Sequence, residues 1–380
     1  MKKLTVIAAG LGYRLLEEHA MTEMAGLRFS AAPSVFPAVT CVAQASLRTG
    51  GLTPAEHGML ANGVWLERLR KPAFWEQSCR LVKGARVWGR STGLFFMQQS
   101  LGEEVELIVS PAPIHCHGGG MIMSCYTQPP GMADVLVRRC GKFPLWRYWG
   151  PLASPKVGRK CISYFEAMTD AHDVDEAYLY LPTLDYTAQK YGPASDSHAA
   201  ALKEFRHQLE RVADLCMRRG CELEVRGDYE ITPVTEEPFM PNVILRRNGL
   251  FRTRTVAARA YPDFHSSRAF AMCDHEVAVI CGEARDEAVA ALLATGRCVL
   301  ADEPGLPAPV LVAKGGSWCA YPWWTDAREA PDFAAHVDIH NKPGFDPKEL
   351  FLFNRGTVKG THGRRCQVAV AGAGHGGVVS

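Results

Sequence analysis

The stretch Ala177-Tyr178-Leu179-Tyr180-Leu181-Pro182-Thr183-Leu184-Asp185 decides how the chain folds. Ala177 to Leu181 is a short apolar run of strand length, and Pro182 ends it. Ser197 to Arg219 follows, with Leu202, Phe205, Leu209, Val212 and Leu215 at helical spacing along one face. Arg218-Arg219 and then Gly220 supply the basic last turn and the glycine that a helix carboxyl end prefers. Cys221 to Val225 is the next apolar run. Strand, long helix and strand make a crossover, the unit of a mainly parallel sheet covered by helices on both faces. In such sheets ligands collect beyond the carboxyl ends of the strands. Asp185 and Asp228 both follow predicted strand ends and are therefore candidates to share one site, although aspartates also leave strands as turn residues and helix caps.

Outward from this unit, Leu4 to Ala9 predicts a buried first strand ended by Gly10 and Gly12. Leu60 to Trp75 mixes helix formers and aromatics and is expected to cover the face near residue 40. Glu104 to Val109 predicts a strand ended by Pro111 and Pro113, and His115 to Met132, rich in Gly, Met and Pro, an irregular excursion. From Asn242 to Asp326 the strands shorten around a Glu283 to Ala294 helix, which predicts a smaller lobe. The expected organisation is a main α/β domain over 1–241, an inserted lobe over 242–326, a return to the main domain over 327–370 and a flexible tail over 371–380. The glycine-rich tail lacks the Lys-Ser/Thr ending of a phosphate loop.

Composition narrows the class. The 380 residues are 47% hydrophobic and 22% charged, values of a folded globular chain. A formal charge of +2, with no long block of like charge, offers no electrostatic footprint for nucleic acid. There is no apolar run long enough to span a membrane, and the apolar stretch behind Lys2-Lys3 is too short for a secretion signal. Thirteen scattered cysteines then read as reduced thiols of a cytoplasmic protein. The expected partner is a small molecule, with neither nucleic acid nor membrane; oligomeric state is not legible.

Pro37-Ala38-Val39-Thr40-Cys41 continues through Leu47-Arg48-Thr49-Gly50-Gly51-Leu52-Thr53-Pro54-Ala55-Glu56-His57-Gly58. A threonine after an apolar turn, then Thr-Gly, then Pro-x-Glu-His-Gly resembles the nucleophile region of the alkaline phosphatase superfamily, nearest its nucleotide pyrophosphatase/phosphodiesterase branch. Leu184-Asp185-Tyr186-Thr187-Ala188-Gln189-Lys190-Tyr191-Gly192-Pro193 is similar to that branch's Asp-x-x-x-His element, with Gln189 in the histidine's place. Arg226-Gly227-Asp228-Tyr229 resembles its Asp-His pair, with Tyr229 for histidine, and Lys359-Gly360-Thr361-His362-Gly363 its terminal histidine motif. Ala9-Gly10 stands where an Asp-Gly is expected, and Ala43 where an asparagine follows the threonine.

The resemblance implies an alkaline-phosphatase-like α/β fold and hydrolysis of a phosphodiester, phosphomonoester or pyrophosphate, with Thr40 as nucleophile and a phosphorylated or nucleotide-like substrate. Lys190 is a candidate to neutralise a phosphoryl oxygen. The implied cofactor is a divalent metal, zinc, with Asp185, Asp228, His340 and His362 as candidate ligands; His340 is added because His336, Asp338 and His340 alternate along an extended piece. A second ion would need an aspartate at position 9 and an imidazole at position 229, so one ion is expected rather than two. Asp274-His275-Glu276 is open between a metal-holding cluster and a lobe-surface feature. Trp318, Tyr321, Trp323 and Trp324 are open between core packing and a stacking platform. The alternative is a catalytically altered or inactive member of the fold that binds a metabolite or serves a biosynthetic pathway by other chemistry.

Overall fold

A computed structural model describes residues 1–61, 63–64, 73–74, 89, 91–98, 100–336, 344–347, 350–351 and 357–372. The main sheet holds eight strands: β1 (Lys3–Ala8), β2 (Ser30–Pro33), β3 (Thr92–Phe95), β4 (Leu107–Pro111), β5 (Cys125–Gln128), β6 (Glu176–Leu181), β7 (Glu222–Gly227) and β12 (Gln367–Ala371). Their order is β5-β4-β3-β6-β1-β7-β12-β2. β4, β3, β6, β1 and β7 run parallel, and β5 and β12 pair antiparallel with their neighbours. β1 lies between β6 and β7, which explains its largely apolar run: Leu4, Val6, Ile7 and Ala8 are all buried, as is Thr5 among them.

The crossover that anchors the sequence argument is present. β6 leads to a short helix α3 (Asp185–Tyr191) and the long helix α4 (Asp196–Arg219), which returns to β7. The Ser195 side chain caps α4 by accepting from the His198 amide, and Gly220 closes it at φ +63°. Leu202, Phe205, Leu209, Val212 and Leu215 are the buried stripe. The Glu104 to Val109 expectation is displaced to Leu107–Pro111, because Pro111 ends the strand opposite Cys125 rather than preventing the pairing. Within Leu60 to Trp75, Gly63–Val64 pairs antiparallel with Ala73–Phe74, and residues 62, 65–72 and 75 lie outside the described residues.

A second sheet, ordered β8 (Ala269–Asp274), β9 (Val277–Gly282), β11 (Val310–Ala313), β10 (Cys298–Leu300), is wholly antiparallel. Its core includes Val39 and, from the helix α1 (Thr40–Arg48) that follows it, Cys41, Val42 and Ala45. The helix that begins at Thr40 is thus packed from the smaller sheet's side. Its far end is held by Arg48, whose guanidinium pairs with Glu103 at 3.2 Å with both side chains buried. Trp323 is buried in this second core and donates to the Ala260 carbonyl at 2.9 Å. Among the described residues no helix is long and apolar enough to cross a membrane. Residues 373–380 of the expected tail lie outside the described residues, and Ala371 is the last residue of β12.

Candidate active site

The strand ends of the main sheet and the tip of the smaller one meet at a cavity of about 470 Å³ of empty space, its mouth included. Thr40, Asp185 and His362 all line it, so three residues far apart in sequence converge as expected. Thr40 is the first residue of α1, 4% exposed, and its hydroxyl lies 3.5 Å from the Tyr229 hydroxyl. The Tyr180 hydroxyl at the end of β6 is a second hydrogen-bond partner of Thr40. Burial pushes both phenols well above their ordinary range, so both are neutral hydroxyls, and Thr40 donates to that of Tyr229.

Asp185 opens α3 immediately beyond β6. Its Oδ1 accepts from Gln189 Nε2 at 2.6 Å, one helical turn on. The Gln189 carbonyl oxygen lies 3.1 Å from His275 Nε2, and His275 Nδ1 lies 2.7 Å from Asp274 Oδ1. Burial raises the Asp185 carboxyl, opposed by the neighbouring His275 and by hydrogen bonds from Gln189 and Tyr229. The imidazole of His362 donates from Nδ1 to the Ala38 carbonyl at 2.9 Å, and burial drives its pKa well below the usual histidine value.

Four rings form a column along the cavity. Tyr229 stacks on His362 at 3.6 Å and 4°, His362 on His275 at 3.8 Å, and His275 on Phe345 at 4.4 Å. His275 reaches this column from the turn between β8 and β9, where Asp274 pairs with Val277. Its φ of +55° is a conformation that two-residue hairpins usually give to glycine or asparagine. A strained histidine aimed into a cavity is a functional-site signal. The sequence carried a trace of it: a polar triplet between two apolar strands with no glycine to make the turn.

The other candidates fall elsewhere. Asp228 Oδ1 accepts from the Gly10 amide at 3.0 Å and the Tyr229 amide at 2.9 Å, tying the ends of β1 and β7 together. Gly10 makes that turn at φ +73°, which favours glycine. Asp228 lines a neighbouring cavity with Ser34, Ala43 and Arg226 instead of the one holding Thr40. Burial raises its carboxyl well above the ordinary range, and its Oδ2 lacks a hydrogen-bond partner among the described residues. Lys190, expected at a phosphoryl oxygen, instead donates to the Pro151 carbonyl at 3.4 Å and is not among the residues lining the cavity. Among the described lining residues there is no lysine or arginine. Trp318, Tyr321, Trp323 and Trp324 do not line it either; the rings that do include Tyr148, Trp149 and Tyr186. His336 is exposed, and Asp338, His340 and Lys342 lie outside the described residues. His57 of the Pro-x-Glu-His-Gly motif is buried, accepts from the Met59 amide at 3.1 Å, and is pushed down to about 4 by burial, a structural placement.

The donors present do not fit a two-ion centre. Ala9 offers no ligand, Asp228 keeps only Oδ2 free among the described residues because two backbone amides hold its Oδ1, and Tyr229 presents a stacked ring and a hydroxyl in place of an imidazole nitrogen. Among the described residues no group of three or more His, Cys, Asp or Glu side chains is arranged to hold a metal ion.

Solved structures with the same fold include murine ectonucleotide pyrophosphatase/phosphodiesterase 5, at 15% identity and TM-score 0.54, with 98% of this chain and 88% of that one covered. An inactive threonine-to-alanine form of the murine protein, in complex with AMP, matches at 15% identity and TM-score 0.54, covering 98% and 87%. Phosphonoacetate hydrolase from Sinorhizobium meliloti, in complex with phosphonoformate, matches at 14% identity and TM-score 0.60, covering 98% and 89%. No curated protein matches the chain by sequence. At these identities the structural likeness establishes the alkaline-phosphatase-like fold alone. The sequence profile of type I phosphodiesterase / nucleotide pyrophosphatase matches residues 6–346, and the chain belongs to that family.

Proposed function

We propose that the cavity hydrolyses a phosphodiester or pyrophosphate bond of a small molecule, with Thr40 as the nucleophile. The observation that carries this is the buried Thr40 hydroxyl, held between Tyr180 and Tyr229 at the start of a helix and facing the same cavity as Asp185 and His362. The first-turn amides of an α-helix have no intrahelical partner and carry a partial positive charge, so phosphoryl oxygens are favoured beside Thr40. The Thr40 Oγ1–P bond forms as the bond to the leaving oxygen breaks in line. The Thr40 proton passes to solvent and the leaving oxygen takes one from solvent; water then attacks phosphorus, cleaves the Oγ1–P bond and restores the threonine. The inactive threonine-to-alanine form of the murine relative, bound to AMP, supports a threonine in this role and a nucleotide-like substrate.

The family's divalent-metal chemistry is proposed to rest on one zinc position rather than two. Asp185 and His362 face the same cavity, and His340, the third expected ligand, lies outside the described residues. A bound ion would stabilise charge on the phosphoryl oxygens. A second reading, a metabolite-binding member without phosphohydrolase chemistry, draws on the hydrogen bond by which Gln189 occupies Asp185.

Turnover of bis(4-nitrophenyl) phosphate by the zinc-supplied protein, and its loss in Thr40→Ala, test the reading. Inactivity across diesters, monoesters and dinucleotides, or full activity of Thr40→Ala, would sink it.

A further inference from the structure

The family resemblance implies a second ion beside the threonine nucleophile, and two of the residues that would hold that ion are missing here: Ala9 has no donor and position 229 is a tyrosine. The space has not simply emptied. Tyr229 is 1% exposed, its ring lies flat on His362 at 3.6 Å, and its hydroxyl reaches both Thr40 Oγ1, at 3.5 Å, and Asp185. The flat stack fixes the ring plane, and the ring plane fixes where the hydroxyl stands. A hydroxyl both donates and accepts, so one that donates to Asp185 can accept from Thr40. That arrangement leaves the threonine's lone pairs turned away from Tyr229. Tyr180 touches Thr40 but among the described residues has no hydrogen-bonded carboxylate as a second anchor, and so determines the orientation less.

We propose that Tyr229 is the positioning residue of this site, and that its hydroxyl, anchored between Asp185 and Thr40, holds the nucleophile where the missing second ion would otherwise have oriented it. This rests on Thr40 being the nucleophile. Orientation is worth much in such a step, since a misplacement of about 1 Å can lower a rate about 10²-fold. The chain therefore needs Tyr229 as tyrosine, and a histidine there is useful only with the aspartate restored at position 9.

The test compares wild type, Thr40→Ala, Tyr229→Phe and the double variant Ala9→Asp/Tyr229→His on bis(4-nitrophenyl) phosphate, with bound zinc counted by elemental analysis. Tyr229→Phe keeps the ring stack and removes only the hydroxyl. Its kcat is expected to fall about 10- to 100-fold with KM within about 2-fold, and its melting temperature to stay near wild type. The double variant is expected to bind about one zinc per chain more than wild type, a readout independent of turnover. Thr40→Ala without activity and Tyr229→Phe with wild-type kcat would overturn the positioning role while leaving the nucleophile in place. Thr40→Ala with full activity would instead overturn the reading beneath it. No gain of zinc in a folded double variant would overturn the claim that Tyr229 stands at the second ion's position.

Discussion

The two halves of the donor set around Thr40 differ in what they retain. Around Asp185, His275 and His362 the walls still offer a carboxylate and two imidazoles, each ring nitrogen Nδ1 tied to a carboxylate or a carbonyl. Around Ala9, Asp228 and Tyr229 the set is depleted: Ala9 has no donor, two backbone amides hold Asp228 Oδ1, and an aromatic hydroxyl stands at position 229. Thr40 sits where the halves meet. A site can lose the electrostatics of one ion and keep its nucleophile only if another group fixes the nucleophile's direction.

Four predictions press on this contrast. The largest effect belongs to the junction: Thr40→Ala should lower kcat/KM by at least about 10³-fold, as removal of a nucleophile does elsewhere, in steady-state assays with a nitrophenyl diester. Next comes the retained half. Asp185→Asn and His362→Ala should each reduce both activity and bound zinc, whereas Asp228→Asn should leave bound zinc unchanged and lower the melting temperature, because Asp228 ties Gly10 and Tyr229 amides. Zinc lost on Asp228→Asn would show that the halves are not distinct. Substrate charge gives a smaller effect: with no lysine or arginine among the described lining residues, a singly charged diester should be preferred over a doubly charged monoester by about 10-fold, near the lower end of what one unit charge is worth at about 4 Å, which runs from about 1 kcal/mol in water to about 4 kcal/mol near a protein surface. A monoester preference would mean that a cation outside the described residues reaches the site.

The smallest concerns pH and stability. Burial lowers His57 and His198 to about 4 and His362 well below its ordinary 6.5. At these imidazoles the unfolded chain binds more protons than the folded one below about pH 6.5, so their contribution to stability should fall as pH drops from there toward 4, against the opposite contribution of the raised Asp185 and Asp228 carboxyls. Thermal melts at successive pH values should show this slope, and His57→Gln should make it shallower; an unchanged slope would remove His57 from the account.

The pattern of the sequence exposed the scaffold well and the donors unevenly. Apolar runs and a glycine-capped helix are local signals, so β6, α4 and β7 were legible, and with them the placement of Asp185 beyond a strand end. Thr40 and His362 are found through motif likeness, and that likeness also implies their convergence with Asp185. His275 was missed as a wall of the same cavity because nothing local reveals that a hairpin in the second sheet reaches the first sheet's rim. Asp228 was placed correctly along the chain, yet its direction depends on the Gly10 amide across the sheet, a contact no spacing encodes. Lys190 failed for a similar reason: neighbouring positions on α3 face different ways, and Gln189 took the inward one.

The most direct test of the central claim is to catch the attack on phosphorus itself. Rapid acid quench of zinc-supplied protein with bis(4-nitrophenyl) phosphate, followed by mass spectrometry of the peptide containing Thr40, should find a nitrophenyl-phosphoryl group on Thr40 in the wild type and none in Thr40→Ala. Turnover without any adduct at Thr40, or an adduct on another side chain of the cavity, would contradict the account.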